Sequence, residues 1–204
     1  MWPRPSLLRS ARRTVPRALV LLGLWALAGL AGCAEPAPRP WCEAAPWWGP
    51  RYRITDSRIT ETSGAVRSRR HEGVWWIHND SGDEARLFSL DAEGRVLAEF
   101  GVPGAEHVDW EDLALDDEGR LYLCDLGNNH SARRDLRIYV VAEPADPFTD
   151  GEAALLRTLP VRYPDQTVFP DPALRFDCEA AFWRDGRLYL LTKPVSYTHL
   201  RAHE

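Results

Sequence analysis

The strongest constraint on how this chain can fold is a unit that recurs along it. Asp109-Trp110-Glu111-Asp112-Leu113-Ala114-Leu115 runs through an acidic turn into Gly119-Arg120-Leu121-Tyr122-Leu123. Asp177-Cys178-Glu179-Ala180-Ala181-Phe182 runs through Asp185 into Gly186-Arg187-Leu188-Tyr189-Leu190. A looser copy leads from Glu61-Thr62-Ser63-Gly64-Ala65-Val66 to Gly73-Val74-Trp75-Trp76-Ile77, and Asn79-Asp80 then stands where the second copy has Asp125. The repeated glycines Gly73, Gly119 and Gly186 are spaced as one supersecondary unit with loops of variable length.

Each unit reads as β-strands: short runs of β-branched, aromatic and aliphatic residues, punctuated by turns with Gly and Asp. Arg86-Leu87-Phe88-Ser89-Leu90 and Arg95-Val96-Leu97-Ala98-Glu99-Phe100 flank Asp91-Ala92-Glu93-Gly94, a hairpin with glycine where the backbone needs positive φ. Strands are expected near 60–66, 73–78, 86–90 and 95–100, then near 112–116, 120–124, 136–141 and 155–163. A third unit begins at 179 and holds two strands. Four-stranded units repeated at this length predict the blades of a β-propeller. The expected fold is therefore all-β, a partial (truncated) propeller of about two and a half four-stranded blades over residues 51–194. A β-sandwich is the alternative, although it would not require the same turn and strand wording to recur.

Over about residues 55–194 the blade sequences resemble the six-bladed propellers of the gluconolactonase, paraoxonase and phytase-like esterase group, through Glu, an apolar strand, then Gly-Arg-Leu-Tyr. The resemblance implies a six-bladed parent, with further blades expected beyond Pro194. The strings His78-Asn79-Asp80-Ser81-Gly82, Asp109-Trp110-Glu111-Asp112 and Asp125-Leu126-Gly127-Asn128-Asn129 look like those of exported propellers. Residues 195–204 resemble a translated sequencing-adapter read-through and are set aside from the functional argument.

The other end of the chain carries an address. Arg4, Arg9, Arg12, Arg13 and Arg17 precede an apolar run from Ala18 to Leu30, which ends in Leu30-Ala31-Gly32-Cys33. A run of about 13 residues is short of the roughly 20 that span a bilayer as a helix, so residues 1–32 read as a signal sequence. The small residues before Cys33 resemble the lipobox of bacterial lipoproteins. That likeness implies cleavage before Cys33, lipid on its thiol and a cell-envelope location on a bacterial membrane; the alternative is an ordinary secretory signal. Residues 33–50, rich in Pro and Ala, read as a tether. With the five leader arginines gone from the 25 basic residues against 30 acidic, the mature charge is about −10, which argues against a nucleic-acid partner.

In a blade the start of the first strand lies beside the end of the second, so two sets of residues are expected at one mouth. Glu61, Glu111 and Glu179 enter first strands, while Asn79, Asp80, Asp125, Asn128 and Asn129 leave second strands. Carboxylates gathered there raise one another's pKa unless a cation neutralises them. Hard oxygen donors of this kind suit Ca²⁺ better than Zn²⁺. Two alternatives stay open: Asp and Asn at strand ends also cap turns, and Arg133 with Arg134 could neutralise the acids without metal. His107 and His130 are the candidate bases, whereas Ser81 lacks both a paired base and the nucleophile-elbow glycines. Cys124 and Cys178 should lie at one mouth of adjacent blades, within reach of a disulfide, which would leave Cys42 over.

Two functions are compatible with these residues. The chain is either a tethered propeller that binds a small-molecule or protein ligand, or, as the resemblance implies, a calcium-assisted hydrolase of ester, lactone or phosphate substrates. Propellers host both, so fold does not choose between them.

Overall fold

The computed structural model describes residues 52–173 and 175–193, with the backbone alone of 201–203. The signal sequence, Cys33, Cys42, the tether and most of the 195–204 tail lie outside the described residues. Within them every regular element is a strand: β1 (Thr62–Arg67), β2 (Trp75–Asn79), β3 (Arg86–Leu90), β4 (Val96–Gly101), β5 (Trp110–Leu115), β6 (Arg120–Asp125), β7 (Arg137–Ala142), β8 (Gly151–Glu152), β9 (Leu155–Pro160), β10 (Asp177–Arg184), β11 (Arg187–Lys193) and β12 (Arg201–His203).

The strands form three sheets in chain order. The first is β1-β2-β3-β4 with β8 added at its edge, the second β5-β6-β7-β9, and the third β10-β11-β12. Pairings are antiparallel except β4 with β8. Through β12 the backbone of the set-aside tail joins the third sheet.

First strands hold the sheets together, with β1 against β5 and β5 against β10. The second sheet is therefore apolar on both faces, as a sheet covered on both sides must be. Leu113, Leu115, Leu121, Leu123, Tyr139 and Val141 pack toward Trp76, Leu87 and Phe100 of the first sheet. Their alternates Ala114, Tyr122, Cys124, Ile138 and Val140 pack with Cys178 and Ala181 of the third. That is the period of two that a strand imposes.

Polar ties fix the stacking. Ser63 Oγ on β1 donates to Glu111 O on β5 at 2.7 Å, and Ala181 N on β10 donates to Asp112 Oδ2 at 2.7 Å. Trp76 Nε1 donates to Glu143 Oε1 at 2.8 Å, so the loop after β7 is gripped by the first sheet. The hairpins follow their turn chemistry. Gly94 and Gly119 take positive φ, and Asp91 and Asp116 each accept two backbone N–H bonds across the turn.

Candidate metal centre

In each sheet the first and second strands pair through one register shift. It falls between Thr62 and Gly64, between Trp110 and Asp112, and between Cys178 and Ala180. The residue caught in the bulge is Ser63, Glu111 or Glu179. A bulge inserts one unpaired residue and lets the alternation resume one step late. Trp110 and Leu113 consequently reach the same apolar cluster, as do Cys178 and Ala181, at a three-residue spacing that a regular strand forbids. Glu111 and Glu179 are thus freed from the in-out alternation at the start of their strands.

The bulges also set the equivalences between repeats. Ser63, Glu111 and Glu179 match one another, and two residues earlier Glu61, Asp109 and Asp177 match. The repeated element is Asp-x-Glu in the second and third sheets and Glu-x-Ser in the first. Aligning Glu61 with Glu111 and Glu179 by sequence is therefore two residues out of step.

Five acids come together. Asp80, Asp109 and Glu111 present oxygens within 4.8 Å of one another, and so do Glu111, Asp177 and Glu179. Glu111 belongs to both groups. It is 8 % exposed, and Asp177 is 0 % exposed. Burial, then the neighbouring Glu179, Asp109, Asp80 and Asp177, pushes the Glu111 carboxyl up to about 8. Burial likewise raises Asp109 and, with the adjoining Glu179, Asp177. Asp177 Oδ1 accepts Asn128 N at 2.6 Å, but its Oδ2 is buried with no N–H donor. Two cations act on these acids among the described residues: Lys193, whose Nζ lies 2.8 Å from Glu179 Oε1, and Arg133, whose charge favours the ionised form of Asp109.

Gly127 is what allows the acids to pack so closely. A Cβ there would sit 2.3 Å from Asp109 Cγ and 2.4 Å from Glu111 Oε1. Any side chain at this position would require the Asp109 and Glu111 carboxylates to move.

Of the residues expected at the mouth, Asp80, Glu111 and Glu179 meet. Asn79 is committed to the backbone: Oδ1 accepts Thr60 N at 3.1 Å and Nδ2 donates to Arg58 O at 2.8 Å. Asp125 Oδ1 accepts Asp109 N at 3.0 Å and pairs with Arg133 Nη1 at 2.9 Å. Asn128 binds Phe176 O, Ala132 N and Arg133 N with its side chain. Glu61 and Asn129 are exposed. Of the two arginines expected to neutralise acids, Arg133 pairs directly with Asp125 and Asp135, and its charge also favours the ionised form of Asp109 in the first group.

Asp109 and Asp177 are the members that sequence reasoning passed over, although each opens its repeat. Neither candidate base joins the acidic groups: His107 lies against Trp110 with Nδ1 at 2.9 Å from Glu84 O, and His130 is exposed on a loop. His78 is fully buried, its Nδ1–H donating to Asn79 O at 2.7 Å, and burial lowers it to about 4. Cys124 and Cys178 share one apolar cluster as free, buried thiols, and burial pushes Cys178 up to about 12.

No protein-family model matches the chain, and no curated protein matches it. The site is described by its own chemistry: clustered carboxylates that could hold a metal ion.

Proposed function

We propose that this chain is an exported, lipid-anchored partial β-propeller that holds Ca²⁺ where its first strands begin and uses that end to bind a small-molecule or protein ligand. The observation that carries the reading is Glu111, a buried acid shared by two groups of three carboxylates and strongly disfavoured as an anion without a counter-charge. Buried charges persist when paired or metal-bound, and Lys193 is in direct ion-pair contact with Glu179 only, while its charge also reaches Asp177 and Glu111.

The donor set is all oxygen. Ca²⁺ takes about 6–8 oxygen ligands, in a geometry looser than Mg²⁺ accepts. Asp80, Asp109, Glu111, Asp177 and Glu179 are the residues that would hold it, and an ion between Asp177 and Glu179 would replace the proton that their adjoining carboxyls otherwise share. When bound, the ion would supply a positive charge able to polarise a ligand oxygen. The propeller reading is supported by three successive sheets, each ordered as the chain runs and joined by their first strands. The envelope location rests on the leader and Cys33.

Calorimetric titration of the detergent-solubilised mature lipoprotein with CaCl₂ tests the site. Saturable binding is expected, weaker with MgCl₂ and lost in Glu111→Gln. Absence of binding, or equal binding by the variant, overturns the proposal. Metabolic labelling with an alkyne fatty acid tests the anchor, and the label should disappear in Cys33→Ala.

A further inference from the structure

We infer that a second pocket, where the β6–β7 loop meets the segment after β9, binds a small organic oxoanion: a carboxylate or phosphate group on a compact carbon skeleton. The cavity measures about 290 Å³, and its lining includes Arg133, Arg134, Arg162, Leu136, Val161 and Phe169. Arg133 links it to the acidic groups, since Asp125 Oδ1 accepts from both Arg133 Nη1 and Asp109 N, but the inference does not require a bound cation.

The pocket is built rather than incidental. Its two walls are tied together at Ser131, which holds a positive φ of 47°. Gln166 Nε2 donates to Ser131 O at 2.7 Å, Asp171 N donates to the same oxygen at 3.1 Å, and Phe176 N donates to Ser131 Oγ at 3.2 Å. Val161 N closes the other side on Leu136 O at 2.8 Å.

The charge in this pocket is unspent. Elsewhere Arg58, Arg86, Arg95, Arg120 and Arg137 pair with carboxylates, while Arg53, Arg67 and Arg157 have no ion pair among the described residues but lie outside this pocket. Arg162 has no ion pair or hydrogen bond among the described residues. Arg134 has no carboxylate partner either, and its guanidinium carbon stands 3.9 Å from the Phe169 ring centroid, a stacked arrangement that leaves the in-plane N–H groups free. Arg133 is partly used: Nη1 binds Asp125 Oδ1 and Gly127 O, and Nε binds Asp135 Oδ1, but Nη2 is buried with no partner.

A buried N–H left unpaired is costly, and native structures rarely keep one without a purpose. An oxoanion would satisfy Arg133 Nη2 and meet the planar forks of Arg134 and Arg162, whose donor spacing matches carboxylate and phosphate oxygens. Leu136, Val161 and Phe169 supply an apolar wall for the skeleton that carries the charge, in a lining more polar than that of most small-molecule sites. The volume suits one acidic monosaccharide or a molecule of similar size.

The test is calorimetric titration of the mature lipoprotein with inorganic phosphate, glucose 6-phosphate, glucuronate and glucose, after protein and buffers have been stripped of divalent ions on a chelating resin so that the cation site plays no part and no soluble chelator competes. Wild type should bind at least one of the charged probes and ignore glucose. Binding of glucuronate alone assigns a carboxylate ligand, and binding of the two phosphates alone assigns a phosphoryl ligand. The double variant Arg134→Ala/Arg162→Ala should raise the dissociation constant by about tenfold or more. Both side chains are exposed, so its unfolding midpoint should match wild type and separate lost binding from lost structure. No binding of any anion by wild type, equal binding by the double variant, or equal binding of glucose overturns the inference.

Discussion

The first sheet and its two successors make the same bulge and fill it differently. In β1 the bulged residue is Ser63, and its hydroxyl is spent on Glu111 O, a bond that fastens one sheet to the next. In β5 and β10 the bulged residues are Glu111 and Glu179, which supply the candidate cation site. One backbone device thus serves adhesion in one repeat and charge presentation in the others. The lesson is that a bulge sets where a side chain can stand, while its residue type decides what it does there.

The comparison breaks most severely if the adhesive side is emptied. Trp76 is fully buried between the first two sheets, and Trp76→Ala should cost about 3–5 kcal/mol in urea unfolding. The molecules still folded should bind CaCl₂ as wild type does.

On the charged side, Glu111 makes stability depend on pH. Its folded pKa is raised, so its contribution is fully present below about 4.5 and is lost as pH rises through about 8. Across that window each pH unit should weaken the cation-free protein by up to about 1.4 kcal/mol. Unfolding curves of Glu111→Gln in EDTA should be flatter, with the variant the more stable at pH 8. A variant as pH-sensitive as wild type would remove Glu111 from this role.

Ser63→Ala should cost about 1 kcal/mol by loss of one hydrogen bond. It should leave calcium affinity unchanged, and a change in affinity would mean that the first bulge belongs to the charged side after all. The smallest effect is expected at Lys193, half-exposed beside Glu179. Removing a competing cation in Lys193→Gln should tighten calcium binding by about two- to threefold, as expected for a partly screened pair.

Much of this architecture was legible in the residues. The strand runs, the Asp-to-Gly hairpins at 91–94 and 116–119, and the apolar alternation are local properties, and they survive in the sheets within a few residues. The acids were legible as a set but not as a site. Asn79 and Asn128 had the right chemistry and the right strand ends, yet both are consumed by neighbouring N–H and C=O groups, and Asp125 gives one oxygen to Asp109 N and Arg133 while its Oδ2 stays buried without a partner, none of which a spacing rule reveals. Asp109 and Asp177 stand at the head of their repeats, but an alignment of glutamate on glutamate hides Glu61 as their counterpart, because only the bulges set the register. The arginine pocket left no motif, since Arg134 before β7 and Arg162 after β9 are distant in sequence and meet only because the start of β7 pairs with the end of β9.

By itself the sequence determined the all-β character, the repeat and its turns, because the alternation of side chains and the need for positive φ act over a few residues. The tertiary structure decided which carboxylates meet and which arginines stay unpaired. A bulge shifts every later side chain by one place, and only the stacking of β1 on β5 and β5 on β10 settles which shifted residues face each other.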